Sequence, residues 1–95
     1  MPAYVIFIRE GEIVDPEAMA AYKSAGSGKG PEGVTPLVVY GAIEALEGTA
    51  PDGVVILQFP DTASAKAWYN GPDYFERAKL RQKAAPYRGF IVEGL

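Results

Sequence analysis

The 95-residue sequence contains no histidine and no cysteine. The missing histidine removes the commonest general base at neutral pH and the commonest ligand for zinc, copper and non-haem iron. It excludes a Ser-His-Asp or Cys-His mechanism within one chain, and haem held by a proximal histidine of this chain. The missing cysteine removes disulfides, thiol nucleophiles and thiolate metal sites. A metal site would then need clustered carboxylates, and the spacing of Glu44, Glu47 and Glu93 shows no such cluster. No metal and no cofactor are expected.

Long apolar runs are also missing: none approaches the roughly 18–20 residues that span a membrane. The apolar run Tyr4 to Ile8 is followed at once by Arg9, Glu10 and Glu12 and follows no basic segment, so it does not read as a signal peptide. The cytoplasm is the expected compartment, with no membrane partner. Nor is there an excess of positive charge. Nine basic against twelve acidic residues leave a net charge of −3, which argues against a nucleic-acid partner.

What remains is an ordinary folding composition, 48% hydrophobic and 22% charged. At this length roughly 60–65% of the unfolded surface is buried on folding, enough for one small core and one domain over residues 1–95. Ala3 to Arg9 is dense in β-branched and aromatic residues and reads as a strand covered on both faces. Asp15-Pro16-Glu17 has the chemistry of a helix start, and Ala18, Ala21, Tyr22 and Ala25 form one stripe behind it. Lys29 to Pro36 reads as a connecting loop, because its glycines match neither a Walker A nor a dinucleotide fingerprint. Leu37 to Glu47 reads as one long strand bent at Gly41, with a hairpin at Tyr40-Gly41-Ala42 as the alternative, followed by a turn over Gly48 to Gly53. Val54 to Phe59 is a third strand. Asp61 or Thr62 caps the next helix, which Gly71-Pro72 breaks into two before Pro86 ends it. Tyr87 to Glu93 is the last strand.

The order is β-α-β-β-α-β, the ferredoxin-like α+β arrangement: a four-stranded antiparallel sheet with helices on one face. Strands that are apolar on both sides leave the other sheet face hydrophobic. A homodimer joined through that open face is the expected cover.

Several stretches together resemble a known family. They are Tyr4-Val5-Ile6, Asp15-Pro16-Glu17-Ala18 with Tyr22, Glu44 to Gly48, Val55 to Pro60, Ala67-Trp68-Tyr69-Asn70, Pro72-Asp73-Tyr74, Arg81, and Ile91 to Gly94. In order and spacing the chain resembles the domain-of-unknown-function family 1330, part of the dimeric α+β barrel superfamily. The resemblance implies no settled activity. It implies kinship with cofactor-independent monooxygenases, small isomerases, decarboxylases and haem enzymes, several of which hold their ligand between sheet and helices.

Trp68, Tyr69 and Tyr74 flank the Gly71-Pro72 break, where a helix N-terminus also offers free N–H groups. They are candidates to line an aromatic pocket, with Tyr22 and Tyr69 as hydrogen-bond donors and Arg81 holding an anionic group. Aromatics at helical spacing are also what a packed core uses. Arg77 and Arg81 read equally as a solvated helix face. Two functions follow. One is a homodimer that binds a small organic molecule in this pocket, with room for cofactor-independent, monooxygenase- or isomerase-like catalysis without histidine. The other is a non-catalytic dimerisation or interaction module whose aromatics only pack.

Overall fold

The computed structural model describes residues 1–26 and 34–95. The elements are β1 (Ala3–Arg9), α1 (Pro16–Gly26), β2 (Thr35–Val39), β3 (Gly53–Phe59), α2 (Thr62–Asn70), α3 (Pro72–Ala84) and β4 (Tyr87–Glu93). The four strands form one antiparallel sheet in the order β2-β3-β1-β4. This is an α+β fold of ferredoxin-like order, and the sheet is open at both edges.

Local chemistry sets most element boundaries. The Asp15 carboxylate accepts from the Ala18 N–H at 3.0 Å and opens α1. Asp61 does the same for α2, accepting from the Ser64 N–H at 2.7 Å. In both, that N–H holds the carboxyl below its usual pKa. Gly71 serves two helices: its N–H donates to the Trp68 carbonyl, and its own carbonyl accepts from Phe75. Pro72 then occupies the first position of α3, where no donor is needed.

Alternation along the strands sorts the core. Ala3, Val5 and Phe7 of β1 stand beside Phe59, Leu57 and Val55 of β3 and beside Glu93, Ile91 and Gly89 of β4. Val5, Phe7 and Phe59 pack with Ala65 of α2 and with Tyr74 and Ala78 of α3, so all of these face the helices. A smaller cluster joins Ala18 and Met19 of α1 to Ala84 of α3. Ala21, expected on the inward stripe of α1, is exposed, and Met19 takes its place. The opposite sheet face carries Tyr4, Ile6 and Ile8. Ile6 lies between Ile56 and Phe90, and Ile56 beside Val38, which makes an apolar row across all four strands.

The long strand expected over Leu37 to Glu47 is shorter than its composition suggests. β2 ends at Val39, and its irregularity falls between Pro36 and Val38. Pro36 lacks an N–H and is tolerated because β2 is an edge strand. Tyr40, not Gly41, turns the chain, with φ at 54° in the left-handed region. Its N–H still donates to the Val54 carbonyl. Beyond it Ile43 and Leu46 are exposed, Leu46 at 90%. The connection expected over Lys29 to Pro36 lies outside the described residues up to Gly33, and Thr35 and Pro36 already belong to β2. Among the described residues no helix is long and apolar enough to cross a membrane.

Candidate functional site

Arg81 is the centre of the helix-covered side of the sheet. It stands on α3 and is 4% exposed, the buried charged residue of the core. Its Nε–H donates to the Tyr74 hydroxyl at 3.2 Å. Its guanidinium lies 4.3 Å from the ring centre of Phe7 and 5.1 Å from that of Tyr87. These contacts engage Nε and the guanidinium carbon and leave the two terminal nitrogens. Among the described residues those nitrogens have no hydrogen-bond partner, and no carboxylate lies within ion-pair distance. The ion pairs present, Lys79–Glu76, Lys83–Asp15 and Arg88–Glu10, are all peripheral.

A cavity of about 350 Å3 opens beside Arg81. Val5, Phe7, Tyr69, Tyr87 and Ile91 line it with Arg81, and Gln82, Gly89 and Phe90 complete the wall. Gly89 matters for its shape. A Cβ there would sit 2.7 Å from the Phe7 ring, so only glycine lets that ring lie against β4. A second pocket of about 460 Å3, lined by Asn70, Phe75, Ala78 and Lys79, shares Tyr69 and Gln82 with the cavity.

Behind Arg81 the aromatics interlock. The Tyr74 ring is fully buried and lies 4.1 Å from Trp68, 5.6 Å from Tyr69 and 6.1 Å from Phe7. Trp68 rests on Phe59 at 5.3 Å. The Tyr22 and Tyr74 hydroxyls share a hydrogen bond of 3.0 Å. Burial first, and then Tyr74, pushes the Tyr22 phenol above its usual pKa. Tyr40 and Tyr87 share a second hydroxyl pair at 2.7 Å, and burial followed by that bond raises Tyr40 likewise. Both phenols are therefore neutral at pH 7. Arg77, read as part of a solvated face, is half-buried. Its guanidinium lies 5.4 Å from the Tyr22 ring and 5.3 Å from the Tyr74 ring.

The five candidate residues thus come together unequally. Tyr69 and Arg81 line the cavity, while Trp68, Tyr74 and Tyr22 stand behind them as packing and support. The cavity lies along α3 and β4 rather than at the exposed helix N-terminus of the Gly71-Pro72 break. Phe7, Tyr87, Gln82 and Gly89 were not singled out from the sequence. Alternation alone places Tyr87, Gly89 and Ile91 on one face, and a glycine between two large residues there was the available signal. Among the described residues no group of three or more histidine, cysteine or acidic side chains could hold a metal.

The fold recurs in solved structures. The RPA0582 protein of Rhodopseudomonas palustris, of unknown function, is 21% identical with a TM-score of 0.66, over 99% of this chain and 82% of that one. Its methylated form gives 23% identity and a TM-score of 0.70, over 99% and 81%. A dimeric protein of unknown function and ferredoxin-like fold from Bacteroides fragilis NCTC 9343 is 12% identical with a TM-score of 0.62, over 98% and 95%. At such identities the likeness shows the fold alone. No curated protein matches the chain. The model of the family described as Domain of unknown function (DUF1330) matches residues 2–95, and the chain belongs to that family.

Proposed function

We propose that this protein binds a small organic anion in the cavity between sheet and helices, with Arg81 holding the anionic group. The observation that carries this is a 4%-exposed guanidinium, fixed on three sides, with no carboxylate partner among the described residues and a cavity of about 350 Å3 beside it. Burying an uncompensated charge is costly, so a fold that keeps one beside a cavity gains from a ligand that completes it. The volume falls at the small end of the range for ligand sites, which suits a metabolite-sized molecule. Tyr69 is the cavity's outer phenol, while Tyr74 and Tyr22 support Arg81 from behind. Any catalysis here works without a conventional base, since the chain has no histidine and the Tyr22 and Tyr40 phenols hold their protons.

The same reading includes a homodimer joined through the open sheet face. The apolar row Val38–Ile56–Ile6–Phe90 supports it, as does the dimeric state of the Bacteroides fragilis protein.

The test is a melting-temperature screen of small organic acids against the wild type and Arg81→Met. A ligand at 100 times its Kd stabilises by about 2.7 kcal/mol, which for a domain of this size is a rise of about 10 °C or more. The rise is expected in the wild type and absent in the variant. No rise with any acid sinks the proposal and leaves a dimerisation or interaction module.

A further inference from the structure

We infer that the ligand is a monocarboxylate with an apolar body, and not a phosphate ester or a dicarboxylate. This deepens the proposed function and rests on it. Three observations select the class. First, the Arg81 fork is already used on one side. Nε–H is spent on Tyr74 at 3.2 Å, and the guanidinium carbon lies over the rings of Phe7 and Tyr87. What is left is the edge formed by the two terminal nitrogens. That edge offers two parallel N–H groups in one plane, the geometry that matches the two coplanar oxygens of a carboxylate.

Second, the cavity supplies one charge. Among the described residues that line it, Arg81 alone is ionised. A monoanion is neutralised there. A phosphate monoester or a dicarboxylate would carry a second negative charge into a wall of Val5, Phe7 and Ile91, with no cation to meet it. Arg77 does not serve this purpose, because it lies over Tyr22 and Tyr74 and does not line the cavity.

Third, the remaining wall is apolar or aromatic apart from Gln82 and the two phenols of Tyr69 and Tyr87. Tyr87 already shares its hydroxyl with Tyr40. A body of aromatic or branched aliphatic carbon fits such a wall, and a strongly hydrated sugar-like body does not.

The experiment is calorimetric titration of the wild-type protein with five probes that share one ring: benzoate, phenylacetate, benzamide, phenyl phosphate and phthalate. Benzoate or phenylacetate is expected to bind at least tenfold more tightly than benzamide, phenyl phosphate and phthalate. Arg81→Lys, which keeps the charge but loses the planar fork, is expected to weaken the carboxylate at least tenfold. The wild-type series decides the ligand class even where the variant does not fold. Phenyl phosphate or phthalate binding as tightly as benzoate overturns the monocarboxylate assignment and leaves the anion site standing. Benzamide binding as tightly as benzoate overturns both, as does the absence of binding by all five.

Discussion

Tyr74 accepts a hydrogen bond from Arg81 about two turns further along the same helix, and the two residues are among the most buried of those described. The pair is unusual in its polarity. A neutral phenol, not a carboxylate, is the acceptor that a buried guanidinium receives. The hydroxyl therefore stabilises the charge without cancelling it, and the net positive charge remains available at the cavity. Tyr74→Phe keeps the ring among Trp68, Tyr69 and Phe7 but leaves both Nε–H of Arg81 and the Tyr22 hydroxyl without this partner. Leaving a buried donor unpaired costs about 1–3 kcal/mol. Chemical denaturation should show that loss with an unchanged m-value, and thermal melting should fall by roughly 4–8 °C for each kcal/mol. A change of a few tenths would mean that Arg81 finds water instead.

Tyr40 is a second place where a hydroxyl pair joins distant parts of the chain. Its backbone is left-handed, which a bulky aromatic adopts only when its surroundings over-determine it. The Tyr40 hydroxyl bonded to Tyr87 at 2.7 Å is one such constraint. Tyr40→Phe removes that bond and should cost about 0.5–1.5 kcal/mol, the usual net value of one hydrogen bond. Equilibrium unfolding of the variant measures it.

The raised pKa values of Tyr22 and Tyr40 set a pH dependence of definite sign. In the unfolded chain these phenols ionise at their ordinary value of 10.0. In the folded chain they hold their protons to higher pH. Their contribution is fully present below pH 10 and is lost as pH climbs toward the folded values. The slope is up to about 1.4 kcal/mol per pH unit for Tyr22 and smaller for Tyr40, which water partly screens. Melting temperature should be flat between pH 8 and 9.5 and fall steeply beyond. Tyr22→Phe should make the fall shallower. An equal alkaline slope in wild type and variant would show that other groups govern it.

Gly89 should be intolerant of any side chain. A methyl group there meets two atoms of the Phe7 ring at 2.7 and 2.8 Å. That ring is held by Tyr74 on one side and Arg81 on the other, so it has little room to retreat. Overpacking of this kind costs about 1–3 kcal/mol. Gly89→Ala is expected to lower the melting temperature and, by crowding the cavity wall, to weaken whatever small acid the wild type binds. A variant as stable as the wild type would show that Phe7 moves freely.

How much of this was legible in the chain depends on the range of the interaction that decides each feature. Asp15, Asp61 and the Gly71-Pro72 pair act within four residues of themselves, and their helix boundaries could be read directly. The apolar strands and their order gave the ferredoxin-like sheet for the same reason. Tyr40 could not be read, because a hydroxyl 47 residues away helps hold its left-handed turn. For Arg77 and Arg81 the chain left both an anion holder and a wet helix face open, since burial of a guanidinium depends on which strand residues the helix meets. Phe7 and Tyr87 settle that, and both lie on other elements. The cavity beside Arg81 was not legible at all, because Phe7, Tyr87 and Gly89 come to α3 from two other elements.

The open sheet face makes the last prediction. Ile6, Ile56, Val38 and Phe90 run across all four strands, and among the described residues no helix packs on them. A second copy laid sheet to sheet covers them with an identical row, which a two-fold axis allows without new side chains. Light scattering on an eluting column should give twice the chain mass for the wild type. Ile56→Lys puts a charge at the centre of the row, far from Arg81 on the other face. At the interface centre that charge has no partner and should shift the protein to monomer at micromolar concentration. Circular dichroism should keep its helical signal, because the helix-side core of Val5, Phe7 and Phe59 is untouched. If Ile56→Lys still runs as a dimer, the subunits meet elsewhere, and the exposed stretch around Ile43 and Leu46 becomes the surface to examine.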